Sequence, residues 1–253
     1  VIPAYGGRPL RLAEHLLRLG NSLRGIGMAE PLGHDQWVAI FEQLLAHAPG
    51  VDQVLYVQVT RGAPPVRDHR FPDDVPPTVL AMTKALKPRD PVIAEFGVAA
   101  IVRDDIRWSR CDIKSISLLA AVLLREEADE ADADEALLVR DGHVVEGSTS
   151  NLFICRAGRI ATPPKSTMLL PGVTRDLVLD LARGSGLPAD ERPISADELT
   201  AADEVWITSS TREVVPVTRI DGVPIGDGTP GPIWRQVDRL YQDCKADLRG
   251  YRV

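Results

Sequence analysis

The stretch from residue 135 to residue 162 limits the fold most, because four short apolar runs follow one another there almost without pause. Residues 135–140, 144–146, 151–155 and 159–162 each read as a strand, and the links between them are too short to hold a helix. Elsewhere helices and strands mix. A strand-like piece and a turn at Gly6-Gly7 open the chain. Leu12, Leu16, Leu19 and Leu23 recur three or four apart and predict a helix over 12–23. Trp37, Ile40, Phe41, Leu44 and Leu45 form the apolar stripe of a helix over 35–46, and further helices are predicted over 116–128, 174–183 and 233–244. Strands are predicted over 54–60, 78–82, 97–102, 205–208 and 214–220. A regular strand–helix–strand alternation is missing, so the expectation is α+β with two subdomains rather than a doubly wound sheet. Two prolines in Lys87-Pro88-Arg89-Asp90-Pro91 interrupt both helix and ladder, which marks 88–91 as a linker between a small domain over 1–87 and a larger one over 92–253.

Composition removes several function classes. The net charge of −7 argues against nucleic acid as the main partner, since phosphate backbones call for a basic face. No run is long and apolar enough to span a bilayer, and no basic, signal-like segment opens the sequence, so no membrane partner is expected. Cys111, Cys155 and Cys244 are widely spaced and odd in number, which indicates neither a disulfide framework nor a zinc site; a cytoplasmic location is the expectation. His15, His34, His47, His69 and His143 show no ligand spacing, and no metal is assigned.

Chemistry is suggested at a few positions. Lys114, one of only five lysines, stands before the apolar run 116–124, expected to be a largely buried helix. Burial and the positive end of a helix dipole both favour a neutral amine, the nucleophile that condenses with carbonyl groups. On spacing alone the position suits a lysine reaching out to solvent better. Glu146 ends a strand and leads into Gly147-Ser148-Thr149-Ser150-Asn151, so its carboxylate could face a protonated ring nitrogen, or could simply precede an exposed turn. Pro171-Gly172-Val173-Thr174 opens a helix whose N–H groups suit a phosphate, although Thr174 is also an ordinary cap. Thr208-Ser209-Ser210-Thr211 is a hydroxyl cluster at a strand end. Arg18, on one helix face with His15, could reach a phosphate or only water. Arg67-Asp68-His69-Arg70 could clamp a carboxylate or be a charged loop in the proline-rich segment 62–77. Together the set contains an amine, a carboxylate for a pyridine nitrogen, a phosphate cradle and a carboxylate trap, the parts needed to move an amino group on pyridoxal phosphate.

The ordered motifs also resemble a known family. Val57-Gln58-Val59-Thr60-Arg61-Gly62, Arg67-x-His69, Asp105-Ile106-Arg107-Trp108-x-Arg110-Cys111-Asp112-Ile113-Lys114-Ser115, Glu146-Gly147-Ser148-x-Ser150-Asn151, Gly172-x-Thr174-Arg175-Asp176 and Thr208-Ser209-x-Thr211-x-Glu213 resemble the bacterial D-amino-acid aminotransferases along nearly the whole chain. The resemblance implies the fold-type IV pyridoxal-phosphate architecture, with a small α/β domain and a larger domain around a β-barrel-like core, and it implies a homodimer with a shared active site. By position, Lys114 would carry the cofactor covalently and shuttle protons, and Glu146 would bind the ring nitrogen. Arg18, Val173, Thr174, Ser209 and Ser210 would hold the phosphate side, and Leu170 would lie under the ring. Arg67 and His69 would bind the substrate carboxylate, with D-amino acids and 2-oxo acids as substrates. Two departures are expected: the family pattern has a strand with a carboxylate-binding tyrosine ahead of the place matching Val1, and there is one extra residue between Arg61 and Arg67. An (R)-selective amine transaminase and an aminodeoxychorismate lyase share the implied fold and cofactor, and a non-catalytic dimer on the same fold is the reading from another class.

Overall fold

A computed structural model describes residues 1–250 and divides the chain into two compact units. The first holds Val1–Lys87 together with the end of the chain from Lys245. Its sheet is four-stranded and antiparallel, in the order β2-β1-β3-β4, built from β1 (Ile2–Tyr5), β2 (Arg8–Pro9), β3 (Gln53–Thr60) and β4 (Thr78–Ala85). Two helices accompany it, α1 (Leu12–Gly25) and α2 (His34–Leu45). The leucine spacing read from the sequence is the reason α1 packs as it does. Leu16 and Leu23 are buried and Leu12 and Leu19 half-buried on one face, while Leu17 points to solvent on the other. Leu16 meets Trp37, Phe41 and Leu45 of α2 and Ile2, Ala4 and Leu55 of the sheet, and Trp37 stacks on Phe41 with ring centroids 5.6 Å apart.

The second unit runs from Pro88 to Cys244. It contains α3 (Pro91–Phe96), β5 (Val98–Asp104), α4 (Leu119–Glu130), β6 (Glu135–Arg140), β7 (His143–Gly147), β8 (Asn151–Arg156) and β9 (Arg159–Thr162). These are followed by α5 (Val173–Gly184), β10 (Ala189–Glu191), α6 (Ala196–Thr200), β11 (Glu204–Ser209), β12 (Glu213–Ile220), β13 (Val223–Pro224) and α7 (Pro232–Arg249), whose last turn belongs with the first unit. Nine strands form one sheet in the order β10-β9-β8-β11-β12-β5-β6-β7, with β13 on β12. Three further strands (β11, β12 and β5) and then β6 lie between β8 and β7 along that ladder, yet the turn 148–150 joins β7 directly to β8. The Gly147 N–H donates to Ser150 O at 2.7 Å, and Asn151 on β8 reaches Glu146 on β7. The sheet therefore curls until its β7 edge returns to β8, which gives a barrel-like core. Inward side chains of nearly every strand fill it, among them Leu137, Val144, Leu152, Ile154, Ile207 and Val215.

The four-strand run of the sequence appears as β6–β9, and the α+β mixture without strand–helix alternation is what the chain adopts. The division between the units falls between Lys87 and Pro88, and within the segment 88–91 Asp90 caps α3 by accepting from the Val92 N–H at 2.9 Å, with Pro91 in the first helical position. Two readings need correction. The helix expected over 116–128 starts only at Leu119: Ser115 Oγ accepts from the Ser117 N–H at 3.3 Å, and Leu118, at φ −104° and ψ 11°, lies outside helical geometry. Nor is that helix largely buried. Ala121, Leu124 and Ala128 face Ile101, Ala136 and Leu138, whereas Leu119 is 73 % and Val122 58 % exposed in the single chain.

Candidate active site

Glu146 is the centre of the arrangement. It is the last residue but one of β7, opposite Leu138 of β6, and is 3 % exposed. Three groups donate to its carboxylate: Arg107 Nη1 to Oε1 at 2.6 Å, Asn151 Nδ2 to Oε2 at 3.0 Å, and the Leu170 N–H at 3.1 Å from both oxygens. Burial pushes the Glu146 carboxyl up to about 7, against the pull of the Arg107 guanidinium and the Leu170 N–H. A carboxylate offers roughly four acceptor directions, so three donors leave capacity for one more N–H, the demand of a single protonated ring nitrogen.

Of the other predicted site residues in the second unit, Leu170 bonds directly to this carboxylate. Leu170 is fixed through its backbone, its N–H on Glu146 and its O accepting from Asn151 Nδ2 at 2.8 Å. Two residues on, Gly172 begins α5, and a Cβ built there would lie 1.8 Å from Asn151 Oδ1. Only glycine allows the turn to sit so close to β8, and Val173 and Thr174 thereby start the helix as buried residues. An α5 N-terminus with these N–H groups suits an anion. The hydroxyl cluster lies at the end of β11, where Thr208 is the ladder partner of Asn151 and the half-buried Ser209 and Ser210 turn the chain towards β12. Ser209 Oγ accepts from the Arg212 N–H at 3.3 Å. The β8–β11 pairing thus joins the Glu146 side of the site to the serine turn.

Lys114 follows the buried Ile113 in an irregular segment, and its own side chain is exposed in the single chain. The burial and helix-dipole argument for a neutral amine therefore fails, because Lys114 stands five residues ahead of α4 on a surface segment. The same segment is nevertheless tied to Glu146: Arg107 bonds to it, and the Cys111 N–H donates to Thr167 O at 2.7 Å beside Leu170. The remaining candidates belong to the first unit. Arg18 is buried on α1 with Nη2 3.3 Å from His15 Nδ1. Arg67 and His69 are exposed in the loop between β3 and β4, where Asp68 Oδ1 accepts from the His69 N–H at 2.6 Å and folds the loop tip back.

Two groups of functional weight escaped the sequence reading. The first is Asp105-Arg107-Arg140 beside Glu146; Arg107 and Asp105 appeared only as letters of a motif, and nothing in their spacing links them to a strand residue 39 positions away. The second is Glu135, which is fully buried and accepts from Ser148, from Thr149 at 2.9 Å and from Ser150 at 2.8 Å, holding the turn after Glu146 in place. A glutamate at the start of an apolar strand was the available signal. Among the described residues no group of three or more His, Cys, Asp or Glu is arranged to hold a metal ion, and no helix is long and apolar enough to cross a membrane.

The amino-transferase class IV family matches residues 1–220 of this chain, and the chain belongs to that family. Its relatives narrow the class. The chain is 42% identical over 243 residues to D-alanine aminotransferase of Bacillus licheniformis, covering 96% of this chain and 85% of that one. To D-alanine aminotransferase of Listeria monocytogenes it is 36% identical over 242 residues, covering 95% and 84%. Among solved structures, the T.th. branched-chain amino acid aminotransferase determined with pyridoxamine 5'-phosphate superposes with a TM-score of 0.86 at 29% identity, over 99% of this chain and 84% of that one. As a class IV aminotransferase the protein is dependent on pyridoxal phosphate, and the Glu146 donor set and the α5 N-terminus fit that group.

Proposed function

We propose that the protein transfers the amino group of D-amino acids to 2-oxo acids, pyruvate and 2-oxoglutarate being the expected acceptors, with Lys114 as the catalytic residue. The observation that carries this reading is the Glu146 carboxylate, buried, held by three donors and adjoining the α5 N-terminus. Similarity to D-alanine aminotransferases at 36–42% identity over 95–96% of the chain supports the D-amino acids as donors. Bound pyridoxal phosphate supplies an electron sink for the pair left at the substrate α-carbon. Glu146 accepts from the ring N–H and keeps the ring nitrogen protonated. The N–H groups of Val173 and Thr174 and the hydroxyls of Ser209 and Ser210 take the phosphate, and the backbone-anchored Leu170 supports the ring face. The Lys114 amine would hold the cofactor and, once displaced by the substrate amine, would take the α-proton and return it to the cofactor carbon bonded to the substrate nitrogen, as general base and then general acid. Release of the first oxo acid before the second binds makes the kinetics ping-pong. Arg18, as a phosphate ligand, and Arg67 and His69, as ligands of the substrate carboxylate, are assigned on the resemblance of their motifs.

The working form in this reading is a homodimer. Ile106, Trp108, Ile116, Leu118, Leu119 and Val122, on either side of Lys114 in sequence, are all at least half exposed, an apolar set that suits cover by a second copy. None of Cys111, Cys155 and Cys244 is in a disulfide, which accords with a cytoplasmic setting. Borohydride reduction of the holoenzyme followed by peptide mass mapping tests the assignment. A phosphopyridoxyl adduct on Lys114 is expected; an adduct confined to Lys84, Lys87, Lys165 or Lys245 would remove Lys114 from its role.

A further inference from the structure

Glu146 has a task that its surroundings oppose. A carboxylate that holds a protonated ring nitrogen must itself be ionised, yet this one is almost wholly buried, and burial favours its protonated form. The titratable and charged groups around it come from two places: Arg107, Asp105 and the thiol of Cys111 on the segment after β5, and Arg140 at the end of β6, which pairs with Asp105. Asp105 has a fully buried side chain and is gripped on both sides. Arg107 binds it in a fork, Nε to Oδ1 at 2.9 Å and Nη2 to Oδ2 at 3.0 Å, and Arg140 Nη2 reaches Oδ2 at 3.0 Å. The fork fixes the guanidinium plane, and the remaining nitrogen, Nη1, meets Glu146 Oε1. Two carboxylates and two guanidinium groups balance within the cluster, and Arg107 is the only one of the two cations that bonds to Glu146.

We propose that Arg107 is a positioning residue for amino transfer: clamped by Asp105, it orients Glu146 and supplies the positive charge that lets this buried carboxylate remain an anion facing the ring nitrogen. The inference rests on the role given to Glu146 above. Without Arg107 the site would hold two carboxylates against Arg140 alone, and Glu146 would take up a proton. A protonated Glu146 donates where it should accept, and the ring nitrogen loses its counter-charge. Lysine at this place would return the charge but not the fork, since an ammonium is a point donor.

The test begins with the apo-protein, where no loaded enzyme is involved. Infrared difference spectra with isotope-labelled glutamate follow the buried carboxyl through a pH titration, and Glu146→Gln identifies its band by removing it. Arg107→Met should move the midpoint upward by about one pH unit or more, the effect of removing an adjacent opposite charge. Arg107→Lys should restore much of the difference. Asp105→Asn keeps an acceptor for the guanidinium but removes a negative neighbour, so it should move the midpoint downward. In the holoenzyme, the NMR shift of ¹⁵N-labelled pyridoxal phosphate should report a less protonated ring nitrogen in Arg107→Met and Glu146→Gln alike. An unmoved midpoint in Arg107→Met would overturn the proposal. If that variant does not fold, Asp105→Asn decides, and an upward or absent shift overturns it. A ring-nitrogen signal unchanged in Glu146→Gln would instead defeat the assignment of Glu146, while the apo titration would still stand as the test of the Arg107–Glu146 coupling.

Discussion

Replacing Glu135 with leucine should unlock the turn that follows Glu146. Glu135 is fully buried, and its two oxygens accept from Ser148, Thr149 and Ser150, with the Ala136 N–H also at 3.1 Å from Oε1. Leucine is similar in volume, so the cavity contribution is small and the hydrogen bonds dominate. Ser148 and Ser150 are buried and would be left without this acceptor, whereas the exposed Thr149 can turn to water. Bonds to buried hydroxyls are worth roughly 1–1.5 kcal/mol net, and more when a donor is stranded, so the loss should be about 2–4 kcal/mol. Glu135→Gln keeps one carbonyl oxygen, and the hydroxyls can rotate to accept from the new amide, so its cost should be about 1 kcal/mol. Equilibrium urea unfolding of the apo-protein measures both, read as a shifted midpoint at unchanged slope. Leucine within about 0.5 kcal/mol of wild type (well below the roughly 1–1.5 kcal/mol of even one such bond), or glutamine as costly as leucine, would refute the network as the source of the turn's rigidity.

Further outcomes follow from the same geometry. Gly172→Ala drives its methyl into Asn151 Oδ1, so it should displace either Asn151 from Glu146 or the α5 N-terminus from the sheet; pyridoxal-phosphate affinity should fall at least tenfold by equilibrium dialysis, and unchanged affinity would contradict the close approach. The Glu146 carboxyl, raised from 4.5 to about 7, binds its proton more tightly folded than unfolded; apo stability relative to Glu146→Gln should therefore be greatest below pH 4.5 and decline by about 3 kcal/mol up to pH 7, staying flat above. A difference that is level with pH, or that grows towards alkaline pH, would argue against a buried carboxyl there. Arg67→Ala should raise KM for D-amino acids far more than for amines that lack a carboxylate; equal effects would mean that Arg67 does not bind it.

Much of the molecule could be read from its sequence because local patterns carried it. The leucine spacing of α1 and the crowded strands β6–β9 need no distant partner to be recognised. Where the reading failed, the deciding interaction was either small or remote. The apolar run after Lys114 looked like a core helix because hydrophobicity reports that a surface is to be covered without saying by what; in one chain Leu119 and Val122 are bare. Glu146, Leu170, Thr174 and Ser210 were singled out by motif, and the fold bonds the Leu170 N–H to Glu146 two residues ahead of the Gly172 cap of α5. Arg107, Arg140 and Glu135 gain their importance only when the sheet curls and brings β6, β7 and the segment after β5 together, which no linear spacing encodes.

The visible absorption spectrum of the purified holoenzyme, recorded before and after separate additions of D-alanine, L-alanine and (R)-1-phenylethylamine, bears most directly on the central claim. A yellow absorption bleached to the pyridoxamine form by D-alanine, and scarcely by the other two, is the result predicted for a D-amino-acid transaminase. Bleaching chiefly by the amine would transfer the reading to an amine transaminase, and a protein that stays colourless with pyridoxal phosphate supplied would contradict the account at Lys114.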